Sequence, residues 1–168
     1  MNAVKYIFVL LFIVVYCLFG LELGYTATSM FYTHITYMFQ HLSIIHLAIN
    51  SIAFIVMFHN LQKLLNIWII IASIFVCGFA ASFLSMYDIP TVGASSMIYA
   101  MVGIDIGMTL LCKEIKIANT RRYLLFICGL ALCLLISAFI HNSNFLIHIY
   151  SLIFGFIVSV VFSIHKTR

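Results

Sequence analysis

Residues 41–50 read HLSIIHLAIN, two histidines and an asparagine at the opening of an apolar run that continues to about residue 60. At roughly 20 residues the run is long enough to cross a hydrocarbon core about 30 Å thick. Inside such a core a polar side chain is costly and is kept where it has a partner or a task. The stretch therefore sets two expectations together: a membrane-spanning helix, and a polar cluster near one end of it.

Composition extends the first expectation to the whole chain. With 168 residues, 65% hydrophobic, 7% charged and one proline, it lies outside the range of soluble domains. Apolar runs of spanning length occur at about 4–22, 42–60, 65–86, 94–112, 122–140 and 145–164. The sequence thus predicts an all-α membrane protein, a single domain over residues 1–168 with six transmembrane helices. In the first run an apolar core follows Lys5, and it is read as a retained span, that core being longer than a signal peptide's.

The net charge of +4 does not point to nucleic acid, because the basic residues are distributed by side. Lys5, Lys63, Lys113, Lys116, Arg121, Arg122, Lys166 and Arg168 all fall in alternate connections or at the ends. By the positive-inside rule those segments, and both termini, are cytoplasmic. The outer segments, about 23–41, 87–93 and 141–144, hold no lysine or arginine. The first of them carries Tyr25, Phe31, Tyr32, Tyr37 and Phe39, which suits the membrane interface or a partly embedded loop and is read as an anchor, not a binding site. The five cysteines are scattered, with no CxxC pair, and read as small apolar fillers.

Within span two, His46 and Asn50 are four apart and share a helix face, whereas His41 and His46, five apart, diverge by about 140° on an ideal helix. No glutamate lies between them, so the HExxH arrangement of zinc peptidases is missing, and no metal or other cofactor is expected. Taken alone, His46 and Asn50 fit interhelical hydrogen bonding equally well. Span four opens with Gly93, Ala94, Ser95 and Ser96, where a serine also serves as a helix cap. Ser95, Tyr99, Gly103 and Gly107 recur every four residues, and so do Ser151, Gly155, Ser159 and Ser163 in span six, with His148 one turn earlier. Stripes of small residues let two helices approach backbone to backbone. If spans four and six pack along them, Ser95 and His148 face each other. Counted at about 1.5 Å per residue, Ser95, His148, His46 and Asn50 all fall in the outer third of the bilayer. Asp105 is ten residues further along span four, roughly 15 Å from Ser95, and is read as a structural group. His34, His59, His141 and His165 are read as interfacial residues.

These residues are similar to the motifs of the rhomboid intramembrane serine proteases. The match comprises His41, His46 and Asn50 in span two, Gly93, Ala94 and Ser95 opening span four, and His148, Ser151 and Gly155 in span six, over about residues 36–165. The resemblance implies a rhomboid-like bundle in which Ser95 is the nucleophile and His148 its general base. It also implies that His46 and Asn50 line the oxyanion hole with the backbone N–H of Ser95, with His41 as a supporting polar group and Tyr99 packed on the histidine. The chain departs from the family pattern at Ser96 and Ser151, where glycines are usual, and at Tyr32 and Thr33, where a tryptophan-arginine pair is often seen.

The implied activity is cleavage of transmembrane protein substrates near the outer face. The alternative is a non-catalytic relative that binds transmembrane segments of client proteins. A small transporter with a histidine proton path is a third possibility, but only Asp105 would continue the path inward. The expected partners are the lipid bilayer and transmembrane substrates. The expected location is the plasma membrane of a bacterium.

Overall fold

An apolar segment in lipid must satisfy its own backbone N–H and C=O groups, and the α-helix does this within one segment. The structure, a computed structural model, describes residues 3–85, 87–111, 120–139 and 143–166, without the side chains of 120–123 and 164–166. Its helices are α1 (Val4–Leu18), α2 (Thr33–Thr36), α3 (Ile44–Leu61), α4 (Ile67–Leu84), α5 (Ser95–Leu111), α6 (Thr120–Phe139) and α7 (Phe145–Lys166). The helices α3, α4 and Phe145–Ser163 of α7 are long and apolar enough to cross a membrane, while Val4–Leu18, Ser95–Leu111 and Leu124–Phe139 are apolar but shorter. The first helix stops before the expected residue 22 because Phe19 is already extended, with φ −122° and ψ 144°. Cys112, Lys113, Lys116, His141 and Arg168 lie outside the described residues.

Side chains start three of the long helices. Ser43 Oγ accepts from His46 N at 3.2 Å, Asn66 Oδ1 from Trp68 N at 2.9 Å, and Asn144 Oδ1 from Ile147 N at 3.3 Å. Each is a polar residue placed just before an apolar run, where it satisfies a backbone donor that the helix cannot.

The central element is α5, which packs against α3, α4 and most extensively α7. It is buried nearly all round, as a helix without a strong polar face can be. Its seam with α7 is as close as the small-residue stripes suggest. A Cβ added at Gly103 would meet Leu152 O at 2.1 Å, one at Gly155 would meet Ala100 O at 2.1 Å, and one at Gly107 would collide with Ser159.

The loops 23–41 and 87–93 meet at one end of the bundle. Tyr25 and Thr91 exchange backbone hydrogen bonds, and Asn144, ahead of α7, donates to Tyr25 Oη at 3.0 Å, Ser85 O at 2.8 Å and Thr91 Oγ1 at 2.9 Å. At the opposite end, Lys5 Nζ of α1 lies 3.4 Å from His59 Nδ1 of α3.

Of the two settings expected for the first loop, its packing favours the embedded one in part. Phe31 and Tyr32 are exposed, but Tyr25 and Tyr37 are fully buried, because each hydroxyl finds a partner inside. Tyr25 pairs with Ser85 and Asn144, and Tyr37 donates to Gly78 O at 2.9 Å. Burial pushes the Tyr25 hydroxyl up to about 12, with its hydrogen bonds to Ser85, Thr91 and Asn144 opposing the shift. His34 is also buried rather than interfacial. It bonds Ser82 Oγ at 2.8 Å and stacks on Phe83 at 4.2 Å, and its burial lowers its pKa.

Candidate active site

The turn into α5 needs a glycine, and the sequence provides one. Gly93 has φ +128°, a conformation that side chains with a Cβ rarely adopt. The same position lies against α3, so that a Cβ here would sit 2.8 Å from His46 Cε1 and 3.2 Å from Asn50 Nδ2. Its N–H donates to Tyr37 O at 2.9 Å. The next N–H, from Ala94, donates to His41 Nε2 at 3.5 Å. The ring of His41 therefore carries its hydrogen on Nδ1, which donates to Phe39 O at 3.2 Å. Burial, with His46 nearby, pushes the pKa of His41 down to about 3, so the ring stays neutral and keeps accepting.

The relation between the two histidines differs from the 140° expected for a continuous helix. The helix begins at Ile44, capped by Ser43, so His41 belongs to the preceding turn. Its ring lies 5.3 Å from that of His46. The sequence argument against a metal from divergent histidines therefore loses its geometric half. Among the described residues, no group of three or more His, Cys, Asp or Glu is arranged to hold a metal ion.

With Ala94 O accepting from Ile98 N, Ser95 is the first residue of α5. The first N–H groups of a helix have no intrahelical acceptor, and the helix dipole favours negative charge beside them. Ser95 Oγ lies 2.9 Å from His148 Nε2, bridging the first turn of α5 to the first turn of α7. Ser96 is different. It is fully buried, and its Oγ would lie 3.3 Å from a Cβ on Gly78, which places it against α4. Of the two hydroxyls, only Ser95 borders open space.

That space is a cavity of about 300 Å³ bordered by Ser95, His148, His46, Ser143 and Asn144, with Leu42, Ile89, Val92 and Ile147 among its apolar walls. Asn50 is buried beside it, and its Nδ2 has no hydrogen-bond partner among the described residues. A buried donor without an acceptor costs free energy, roughly 1–3 kcal/mol, and is suited to an acceptor that arrives with a ligand.

The ring of Tyr99 packs on that of His148 with centroids 4.8 Å apart, and its hydroxyl donates to Leu130 O of α6 at 2.9 Å. One turn below the histidine, Ser151 is fully buried with no hydrogen-bond partner for its Oγ among the described residues. Gly155 lets the backbone of α5 approach. Asp105 is buried in α5, away from this cluster in sequence, and is engaged in an interaction of its own.

Sequence reasoning passed over Ser137 and Asn144. Ser137 Oγ, from α6, lies 3.2 Å from His148 Nδ1 and also bonds Ser143 Oγ. The available signal was that Ser137 is the one hydroxyl between Leu124 and Phe139, an otherwise apolar stretch. Asn144 was readable as the polar residue just ahead of the last apolar run.

Chemically, the cluster brings together a hydroxyl, an imidazole at hydrogen-bonding distance, unpaired donors and an adjoining cavity. These are the parts of nucleophilic acyl transfer. A family model described as the Rhomboid domain matches residues 28–165. A comparison with curated proteins finds no match.

Proposed function

The chain belongs to the rhomboid family, whose domain model matches most of it, and from that premise we propose that it is an intramembrane serine endopeptidase working through Ser95 and His148. The family and the apolar helices make it an integral membrane protein. The observation that carries the catalytic reading is the 2.9 Å separation of Ser95 Oγ and His148 Nε2.

A serine hydroxyl is a weak nucleophile until a neighbouring base takes its proton. In the proposed reaction Ser95 Oγ attacks the scissile carbonyl carbon as its proton passes to His148 Nε2. The carbonyl oxygen becomes an oxyanion, which the backbone N–H of Ser95, Asn50 Nδ2 and His46 are suited to stabilise. Preorganised donors of this kind are worth roughly 3–4 kcal/mol each when removed singly. The protonated His148 then gives its proton to the leaving amine, which frees the first product. Water, activated by the same imidazole, releases the acyl group from Ser95.

The substrate class follows from the setting. The cavity lies at the end of the bundle where the loops gather, and the basic residues assign that end to the extracytoplasmic side. The reading thus takes all six long helices as spans, with both termini cytoplasmic. A transmembrane protein whose span is weakly helical near that face could extend a peptide bond into the cavity.

The test is fluorophosphonate labelling and cleavage of a reconstituted transmembrane substrate by the wild type, Ser95→Ala and His148→Ala. Loss of both signals in each folded variant is expected. Cleavage that persists in either rejects the dyad. A folded wild type that binds transmembrane segments but neither labels nor cuts would favour the client-binding alternative.

A further inference from the structure

We infer that Ser137 of α6 is a positioning residue for His148, holding the imidazole in the tautomer that can accept the proton of Ser95. The inference rests on the dyad proposed above and adds a third member to it.

A neutral imidazole carries one N–H. To take a proton from Ser95, 2.9 Å away, Nε2 must present its lone pair, so the hydrogen must be on Nδ1. The atom that faces Nδ1 is Ser137 Oγ at 3.2 Å. A serine hydroxyl can donate or accept, and a donor there would force the hydrogen onto Nε2 and block the base. The next link provides for the required direction, because Ser137 Oγ also bonds Ser143 Oγ on the cavity wall, a hydroxyl able to accept as well as donate. With the Ser137 hydrogen directed to Ser143, its lone pair receives Nδ1–H. The chain of donors then runs from Ser95 through His148 to Ser137 and Ser143 in one direction.

This arrangement serves both charge states of the ring. When Ser95 Oγ forms its new bond to the substrate, its proton moves to Nε2 and Nδ1 keeps its own. Ser137 remains an acceptor throughout, and its lone pair also stabilises the transient imidazolium. Proton and charge therefore balance within the dyad and the leaving amine.

Placement on α6 supports a specific role over ordinary packing. Among the described side chains of α6 only Leu130 and Ser137 are buried, seven residues and about two turns apart. Both touch the same assembly, Leu130 through its carbonyl to Tyr99 and Ser137 through its hydroxyl to His148. The titratable groups facing His148 are Tyr99 from α5, by ring contact, and His46 from α3, across the cavity. Neither is bonded to Nδ1.

The experiment compares Ser137→Val with Ser137→Thr in the full-length protein in detergent, with a fluorophosphonate as the probe. Valine and threonine share a shape and differ in the hydroxyl. General base catalysis as a whole is worth roughly 10²–10⁴-fold, so Ser137→Val is expected to lower the maximal labelling rate about tenfold or more. Its half-saturating probe concentration should stay within about twofold, and threonine should restore the rate to within about threefold. Equal rates in the valine variant and the wild type, or threonine as slow as valine, overturn the inference while leaving the dyad standing. A wild type that does not label overturns both. The tautomer is read independently in the wild type by ¹⁵N spectra of histidine-labelled protein, using the signal lost in His148→Ala. Hydrogen on Nδ1 is expected at neutral pH, and a resting ring protonated only on Nε2 rejects the assignment whether or not the valine variant folds.

Discussion

The seam between α5 and α7 and the face of α6 are built to opposite standards. Along the seam, Gly103, Gly107 and Gly155 leave no room for a single added carbon, because the backbone or Ser159 of the other helix is already there. On α6, a Cβ added at Gly129 would meet nothing within 4 Å, and most described side chains face outward. The difference separates two kinds of precision. Ser95 and His148 are fixed by backbones in contact, whereas the ring's outer nitrogen is held by hydrogen bonding from a helix that otherwise touches little. Tight packing sets the distance between the reacting atoms, and a looser element sets which proton is where.

The largest effect that could break this contrast is at the dyad. Ser95→Ala and His148→Ala are each expected to reduce cleavage to background without lowering the melting temperature by more than a few degrees, measured side by side in detergent. Next comes the seam. Gly155→Val places carbon where Ala100 O now sits, and overpacking of this kind costs roughly 1–3 kcal/mol or more. A clear drop in unfolding midpoint and a matching loss of activity are expected; an unchanged midpoint would mean that the helices can part at little cost.

A milder effect is expected from pH acting on His41. Its folded pKa is held near 3 against an ordinary value near 6.5. Above pH 6.5 neither folded nor unfolded chain carries the proton, and the contribution is fully present. As pH falls from 6.5 towards 3 the unfolded chain takes up a proton that the folded ring refuses, so stability declines through that window. His41→Gln should flatten the decline in a series of thermal melts from pH 7 to 4. The smallest effect is expected at Gly129→Ala, where helix propensity favours alanine by about 0.8–1.0 kcal/mol in water and nothing obstructs it. The midpoint should hold or rise slightly, and a substantial loss would show that α6 has a neighbour on that face.

The sequence made the seam legible because close approach requires small residues, and small residues at every fourth position are a pattern. It made Gly93 and Ser95 legible for a similar reason, since a helix opening in glycine and serine after a proline-bearing turn is a local signal. Ser137 left no pattern. Its partner is eleven residues away, in the next helix, and a lone hydroxyl in an apolar helix has many other uses. The nearness of His41 to His46 was hidden by a boundary, because whether two residues share a helix depends on where the cap falls, here Ser43. The burial of Tyr25 and Tyr37 was hidden by distance, since the groups that receive their hydroxyls, Ser85 and Gly78, lie 60 and 41 residues away along the chain.

The order of the helices along the chain bears on biogenesis. The hydroxyl of the proposed dyad is carried by α5 and the imidazole by α7, so a ribosome delivers the former into the bilayer first. Until α7 has threaded in and Asn144 has locked onto Tyr25, Ser85 and Thr91, the half-made protein holds an inert alcohol. On the proposed reading, competence to cut therefore arises only with the last helix to be made.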